Sequence, residues 1–172
     1  MLPVTNANAA TKSKAQINKL CDKKYTKFVD SYAKEHRGIA SVGDINKDGI
    51  NELIVSDYSS ASSSEHFSII VAYNKQTGKF VKTKLEHAFN CIGNGYILCT
   101  SAHQSEIYKM DKNGKFKLVA LQAGGLNGGG YSRYINNKEV SEETYSKFFK
   151  KHITDLDPFK SKRVVEFKRF NY

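Results

Sequence analysis

The hydrophobic period of the chain changes at Gly38, and this change restricts the folds that are open to it. Between Lys12 and Lys34, apolar residues recur every three or four positions, which predicts an amphipathic helix. Beyond Gly38, apolar residues occur in short runs that polar or glycine-containing turns separate, which is typical of successive β-hairpins. The chain therefore begins with a helix and continues into an antiparallel sheet.

A second helix is predicted near the C-terminus. Ser141 is a good N-cap, and the two glutamates that follow it favour the positive end of the helix dipole. The buried stripe of this helix consists of Tyr145, Phe148, Phe149 and Ile153. Weak alternation from Val164 to Phe170 predicts a last strand. The expected class is α+β, with a mainly antiparallel sheet of hairpins between an N-terminal and a C-terminal helix.

Two of the predicted turns resemble each other and indicate an internal repeat. The run from Asn74 to Phe80 matches the run from Asp111 to Phe116 at a Gly-Lys-Phe step, with a period of 36 residues. Repeated hairpins of this kind suggest propeller blades. Since a closed propeller needs about four or more blades of four strands each, we expect blade-like hairpins that do not close.

The excess positive charge lies at the two ends of the chain. The formal net charge is +10; residues 12–37 and 147–172 each carry eight basic and three acidic residues, and 38–146 is neutral. Such ends attract anionic polymers or are solvated helix faces. Most basic residues are Lys, whereas Arg supplies the bidentate contacts of base recognition, so no specific nucleic-acid partner is expected. No run reaches the roughly 18 apolar residues of a membrane-spanning helix.

The cysteines and histidines do not form a recognisable catalytic motif. The chain has Cys21, Cys91 and Cys99, an odd number that cannot be fully paired within one chain. Cys91 and Cys99 flank the turn at 93–95 on the same side of a hairpin, where they form a disulfide or remain thiols. The sequence contains neither HExxH nor G-x-S-x-G. An enzyme is therefore less favoured than a binding protein.

Two further segments have two interpretations each. In the glycine-rich segment 124–130, the backbone is open to a ligand, or the segment is a hairpin tip. The candidate ligand-binding residues there are Gly128, Gly129, Tyr131 and Tyr134. Residues 1–11 contain Ala-Asn-Ala, which fits the end of an export signal, or they are a disordered polar start. Residues 12–172 are expected to form one α+β domain, with a calcium-loop hairpin at 38–57.

The segment from Asp44 to Glu52 is the one specific chemical motif. Calcium prefers six to eight oxygen ligands, and oxygen-bearing side chains at loop positions 1, 3, 5 and 9 supply them. The predicted ligands are the side chains of Asp44, Asn46, Asp48 and Glu52 and the carbonyl of Ile50. Gly49 permits the sharp bend. A metal-free polar turn is the alternative, and an EF-hand is disfavoured because Val55 occupies position 12.

The run DINKDGINELIV resembles the D-x-[DN]-x-D-G-x-x-[DE]-L signature of FG-GAP and VCBS-type repeats. The resemblance covers about fifteen residues, from Gly43 to Asp57, and implies a calcium loop between two strands of a blade. The remaining pattern resembles small secreted or lipoprotein-like domains that are common in Firmicutes. The chain has one such loop rather than several, which weighs against a complete propeller.

These observations predict an exported or cell-surface, non-enzymatic binding module that a structural calcium ion stabilises. Its expected partner is a protein, a glycan or an anionic polymer at the cell surface. One alternative is a secreted hydrolase-like enzyme with a cleft near 124–130. Another is a basic adaptor that binds anionic polymers through its two terminal segments.

Overall fold

The computed structural model describes residues 12–57, 60, 66–101, 103–124, 130–153 and 164–166, with the backbone alone for 89–93 and 164–166. Its elements in chain order are α1 (Lys14–Tyr32), β1 (Gly38–Gly43), β2 (Glu52–Asp57), β3 (Phe67–Asn74), β4 (Lys79–Leu85), β5 (Phe89–Gly93), β6 (Tyr96–Thr100), β7 (Gln104–Met110), β8 (Phe116–Gly124), β9 (Tyr131–Ile135), β10 (Lys138–Glu139), α2 (Glu142–His152) and β11 (Val164–Glu166). The expected leader at 1–11 and residues 125–129 of the glycine-rich segment lie outside the described residues.

The strands divide between two antiparallel sheets. Sheet 1 has the order β11-β1-β2-β3-β4, and sheet 2 has the order β10-β9-β8-β7-β6-β5. Apart from β11, neighbours along each sheet are neighbours along the chain, so each sheet is a meander of hairpins. The predicted α+β class is confirmed, with one helix near each end and sheets that do not close.

Helix α1 lies within the range predicted from Lys12 to Lys34, and Ser13 caps its start. Ser13 forms a capping box: its hydroxyl accepts from the amide of Gln16, and its own amide donates to the Gln16 side chain. The helix covers one face of sheet 1, where its apolar stripe is buried. The buried members of this cluster are Ile17, Cys21 and Tyr25 from α1, Ile50, and Ala40, Leu53, Val55, Ile69 and Val71 from sheet 1.

The opposite face of sheet 1 packs on sheet 2. Because successive strand residues point to opposite faces, Ile54 and Ile70 face away from α1 and contact the second sheet. The buried residues between the sheets are Ile45, Ile54, Ile70, Leu85, Ile97, Cys99, Tyr108 and Phe116. The outer face of sheet 2 carries α2, which Ser141 caps as predicted and which buries Tyr145. The order of layers is therefore α1, sheet 1, sheet 2, α2.

The repeat predicted from the sequence occupies equivalent places in the two sheets. One copy is the turn from β3 to β4, and the other is the turn from β7 to β8. The two turns touch, because the Asn74 side-chain amide donates to the Asn113 carbonyl at 3.2 Å. Each repeat thus belongs to a blade-like meander, of four strands (β1–β4) in sheet 1 and six strands (β5–β10) in sheet 2, and the two meanders stack face to face.

One strand was not expected from the sequence. Strand β10 pairs with β9 through a turn in which Asn136 and Asn137 both have positive φ, the geometry that a two-residue hairpin turn requires.

In the described part of the chain, neither helix combines the length and the hydropathy that crossing a membrane would demand.

Candidate metal centre

The loop between β1 and β2 is organised by its own acidic and amide side chains. The Asp44 carboxylate accepts from the amides of Asp48 at 3.0 Å and Gly49 at 2.7 Å. Asp48 in turn accepts from the amide of Ile50 at 2.9 Å, and Asn46 accepts from the amide of Asp48 at 3.0 Å. The three side chains predicted at loop positions 1, 3 and 5 therefore turn towards the inside of the loop.

The backbone of the loop bends at two residues with left-handed conformation. Lys47 has φ 59°, and Gly49 has φ 85°, a region in which a side chain costs free energy. A Cβ atom at Gly49 would also lie 2.9 Å from Cδ of Lys14, so α1 leaves little space there. The role predicted for Gly49 in the bend agrees with this geometry.

Helix α1 holds the far side of the loop through three hydrogen bonds. The side-chain amide of Asn18 donates to the Gly49 carbonyl at 2.9 Å, and its oxygen accepts from the Asn51 amide at 2.9 Å. The Tyr25 hydroxyl donates to the Asn51 carbonyl at 2.8 Å. No local pattern marks these partners, since Asn18 lies 31 and 33 residues before the groups that it binds.

Two isoleucines anchor the loop in two different cores. Ile45 is buried between the sheets, whereas Ile50 is buried between sheet 1 and α1. The Ile45 carbonyl accepts from the Gly95 amide at 2.9 Å, which ties the loop to the turn between β5 and β6 of sheet 2. The loop therefore contacts α1, sheet 1 and sheet 2 at once.

Glu52 closes the loop with a carboxyl group that is buried. Its exposed fraction is 2 %, and its Oε2 accepts from the Ile45 amide at 2.8 Å. Burial raises the pKa of Glu52 to about 8; repulsion by Asp48 and Asp44 adds to this effect, and the bond from Ile45 opposes it. At neutral pH the Glu52 carboxyl group therefore favours its protonated form, and a positive charge beside it would be needed to ionise it.

Lys75 supplies a positive charge to the loop from the neighbouring hairpin. Its ammonium nitrogen lies 2.8 Å from Asp48 Oδ2. Burial raises the pKa of Asp48, but hydrogen bonds from Lys75 and from the Ile50 amide outweigh this effect, and the pKa lies below its usual range. Lys75 belongs to the turn between β3 and β4, so this ion pair also links two turns.

The side chains of the loop are chemically suited to calcium, but their positions in the structure do not form a coordination shell. The side chains predicted as ligands all carry oxygen, the atom that calcium prefers. Within residues that the structure describes, however, no three His, Cys, Asp or Glu side chains converge closely enough to hold a metal ion. The carboxylates of Asp44 and Asp48 instead bind loop amides and, for Asp48, Lys75.

A second polar cluster lies between the sheets, and sequence reasoning missed it. His87 Nε2 is 3.9 Å from Glu106 Oε1, and the Tyr108 hydroxyl donates to Glu106 Oε2 at 2.8 Å. Cys99 is directly opposite Glu106 on the neighbouring strand. Burial raises the pKa of the Cys99 thiol, which disfavours the thiolate that nucleophilic chemistry needs. Cys99 and Glu106 are neighbours because β6 pairs with β7, and the sequence pattern does not give the register of that pairing.

A third cluster lies at the end of α1. His36 Nδ1 is 2.9 Å from Oδ2 of Asp57, a buried carboxylate that also accepts from the Tyr32 hydroxyl. The rings of Tyr32 and His36 stack with centroids 4.1 Å apart. The arrangement orients the imidazole and closes the end of the helix against β2.

Of the four residues predicted to bind a ligand near the glycine-rich segment, only Tyr131 and Tyr134 belong to the described residues. Gly128 and Gly129 lie outside the described residues. Tyr131 is opposite Gly124, and Tyr134 is opposite Leu121 and lines a shallow cavity of about 250 Å³. Tyr131 and Tyr134 are three positions apart on β9, so their side chains point to opposite faces of sheet 2.

The sequence left open whether Cys91 and Cys99 form a disulfide or remain thiols, and the structure has Cys99 as a free thiol. Cys21 and Cys99 are free thiols in buried positions. In the ladder, Cys91 is opposite Leu98 rather than Cys99.

No protein-family model, curated protein or solved structure matches this chain. The likeness to FG-GAP and VCBS-type repeats therefore depends on the loop residues themselves.

Proposed function

We propose that the chain is a non-enzymatic binding module, exported or at the cell surface, in which calcium bound by the loop from Asp44 to Glu52 stabilises the fold. The observation that carries the proposal is the buried Glu52 carboxyl group, which closes a loop that Asp44 and Asp48 already charge negatively. A divalent cation would compensate this charge where one lysine now does so from the loop's edge. The cell-surface location is supported only by the Ala-Asn-Ala segment and by the class of calcium loop.

The ligands of the ion would be the side chains of Asp44, Asn46, Asp48 and Glu52 and the carbonyl of Ile50. The ion would supply fixed positive charge and no reaction chemistry. Since the ammonium group of Lys75 now lies 2.8 Å from Asp48 Oδ2, Asp48 would exchange this partner for the ion.

Calcium at this position would act on the whole fold because the loop joins three layers. Asn18 connects it to α1, Ile50 and Glu52 to the core of sheet 1, and Ile45 to sheet 2. Ligand that binds only the folded state stabilises it by mass action. The module would then be most stable where calcium is abundant, as it is outside cells.

A binding function is favoured over catalysis by the nature of the polar clusters. The Cys99 thiol is buried and its raised pKa keeps it protonated, so the cluster with His87 and Glu106 offers no ready nucleophile. The carboxylate of the other pair, Asp57, is already engaged by His36 and Tyr32. The hydrolase alternative placed its cleft near 124–130, and residues 125–129 are outside the described ranges. The adaptor alternative needs the basic C-terminal segment, of which the side chains from 154 onwards are likewise not described.

The test is calorimetric unfolding of chelator-treated protein with and without calcium. At a concentration about ten to a hundred times the dissociation constant, mass action adds about 1.4 to 2.7 kcal/mol. For a chain of this size, that should raise the Tm by about 3 to 10 °C. The dissociation constant expected for an extracellular module is about 10⁻⁴ to 10⁻³ M, which isothermal titration can measure.

Two variants separate a specific site from general ion effects. Glu52→Gln keeps the shape of the side chain and removes a charged ligand, and we expect it to lose the calcium-dependent rise in Tm. Asp111→Asn is the matched control, because Asp111 also accepts amide bonds in a hairpin turn but lies in the second repeat. An unchanged Tm of the original protein in about 10 mM calcium, about ten times the weakest dissociation constant expected, or equal responses of both variants, would contradict the proposal.

A further inference from the structure

A groove lies between helix α1 and the last strand of sheet 1. Its volume is about 390 Å³, and its lining residues are Lys24, Phe28, Val71, Lys79, Phe80 and Lys82. The side chains at the bottom of the groove are well packed. The Phe80 ring contacts Tyr25 and Tyr73 edge-on, with ring centroids at 5.9 Å and 5.4 Å, respectively. The groove thus combines an apolar floor with a cationic rim.

The strand that borders the groove is open on one side. Strand β4 pairs with β3 over all seven of its residues and has no second neighbour among the strands that the structure describes. An edge strand of this length presents a row of backbone donors and acceptors that an extended peptide can pair with.

Among the described residues, the lysines at this edge have no acidic partner, and aromatic rings hold two of their ammonium groups in place. The ammonium nitrogen of Lys82 lies 6.0 Å from the centroid of the Phe28 ring, and that of Lys84 lies 4.0 Å from the Phe67 ring. Such placement over a ring is favourable and restrains the cation. Within the described ranges, the ion pairs involve neither these two lysines nor Lys24 or Lys79.

Lysines on an edge strand often serve only to prevent pairing with another chain. Residues with that role keep their ammonium groups in water and need no groove beside them. Here Lys82 and Lys84 lie over aromatic rings on the side of the sheet that carries α1, next to an apolar depression. The same lysines that repel a basic strand would attract an acidic one.

We propose that the edge of β4 binds an extended acidic segment of a partner protein, which adds to sheet 1 as a further strand. Acidic side chains of the segment pair with Lys82 and Lys84 across the strands, and Lys24 and Lys79 face the rest of it from the rim of the groove. The inference names a partner surface for the binding module proposed above. It uses none of the five predicted calcium ligands, so the two proposals can fail separately.

The probe for the experiment is a fluorescein-labelled peptide of about eight residues, typical of a strand, with alternating Glu and Val. Fluorescence anisotropy measures its binding to the full chain in EDTA and in calcium. We expect saturable binding in both buffers, weakened about tenfold or more by Lys82→Glu combined with Lys84→Glu. Failure of the calcium titration with intact peptide binding would reject only the calcium proposal.

The matched control is Lys138→Glu on the exposed edge strand β10 of sheet 2. It is compared with the single variants Lys82→Glu and Lys84→Glu, because each of the three reverses the charge of one lysine. It should alter binding by no more than about twofold. Circular dichroism confirms that each variant is folded. Equal losses for both sets of variants, or no binding by the original protein, would overturn the proposal.

A second probe tests strand pairing without changing the protein. N-methylation of alternate residues removes the backbone donors on one edge of the peptide and retains its charges and side chains. We expect binding to fall about tenfold or more, since several backbone hydrogen bonds are lost. Equal binding of the methylated peptide, or of polyphosphate with the same number of charges, would show attraction of any polyanion and reject strand addition.

Discussion

The attachment of the loop to helix α1 yields the sharpest prediction about stability. Replacing Asn18 by Ala removes both of its hydrogen bonds, to the Gly49 carbonyl and from the Asn51 amide. Each bond contributes about 1 kcal/mol, and both partners lie in partly buried surroundings. Alanine regains about 0.5 kcal/mol through its higher helix propensity. The expected net loss in free energy of unfolding is about 1.5 kcal/mol.

Urea and thermal unfolding of the Asn18→Ala variant measure this loss. For a chain of this length, about 1.5 kcal/mol corresponds to a decrease in Tm of about 3 to 6 °C. Lys19→Ala is the control, because Lys19 is exposed on the same helical turn and forms neither a hydrogen bond nor an ion pair with the described residues of the loop. Equal stabilities of the two variants would refute the idea that Asn18 couples the helix to the loop.

A double-mutant cycle shows whether the three bonds act together. Tyr25→Phe removes the donor to the Asn51 carbonyl, whereas Asn18→Ala removes the acceptor of the Asn51 amide. Since both bonds hold the same residue in place, we expect the combined loss to differ from the sum by about 0.5 kcal/mol or more. Strict additivity would mean that the two side chains stabilise the fold independently.

Two further predictions concern the bend and the thiols. Gly49→Ala should lower the free energy of unfolding by about 1 to 2 kcal/mol because its φ of 85° is left-handed, as urea titration can measure. Gly130→Ala should be neutral in the same titration, because open space surrounds that position. In a Cys91→Ser background, Cys21 and Cys99 should resist Ellman's reagent until the protein unfolds, since burial raises both pKa values; rapid reaction of the native protein would contradict their burial.

The sequence predicted local structure well because local structure has local causes. The start of α1 follows from the Ser13 and Gln16 capping pair, and the turns follow from glycine and asparagine. The inward orientation of Asp44, Asn46 and Asp48 also follows from the alternation of side chains in a tight loop.

The partition of strands between two sheets could not be predicted in this way. Strand β2 is buried along its whole length, because α1 covers one of its faces and sheet 2 covers the other. Such a strand does not alternate between apolar and polar residues, so the pattern does not reveal what lies on each side. The residues that hold the loop are also distant from it in the sequence. Asn18 and Lys75 reach the loop only because α1 and the turn between β3 and β4 pack beside it.

Helices α1 and α2 cover the outer faces of the two described blade-like meanders. A propeller blade is apolar on both faces because each face contacts a neighbouring blade. Here each meander has one face against the other, as Ile54 and Ile97 show, and its outer face against a helix. A third meander could pack on the outer face of either described sheet only by displacing α1 or α2. Among the described strands, β4 is an edge strand that has both a groove beside it and lysines without ion pairs.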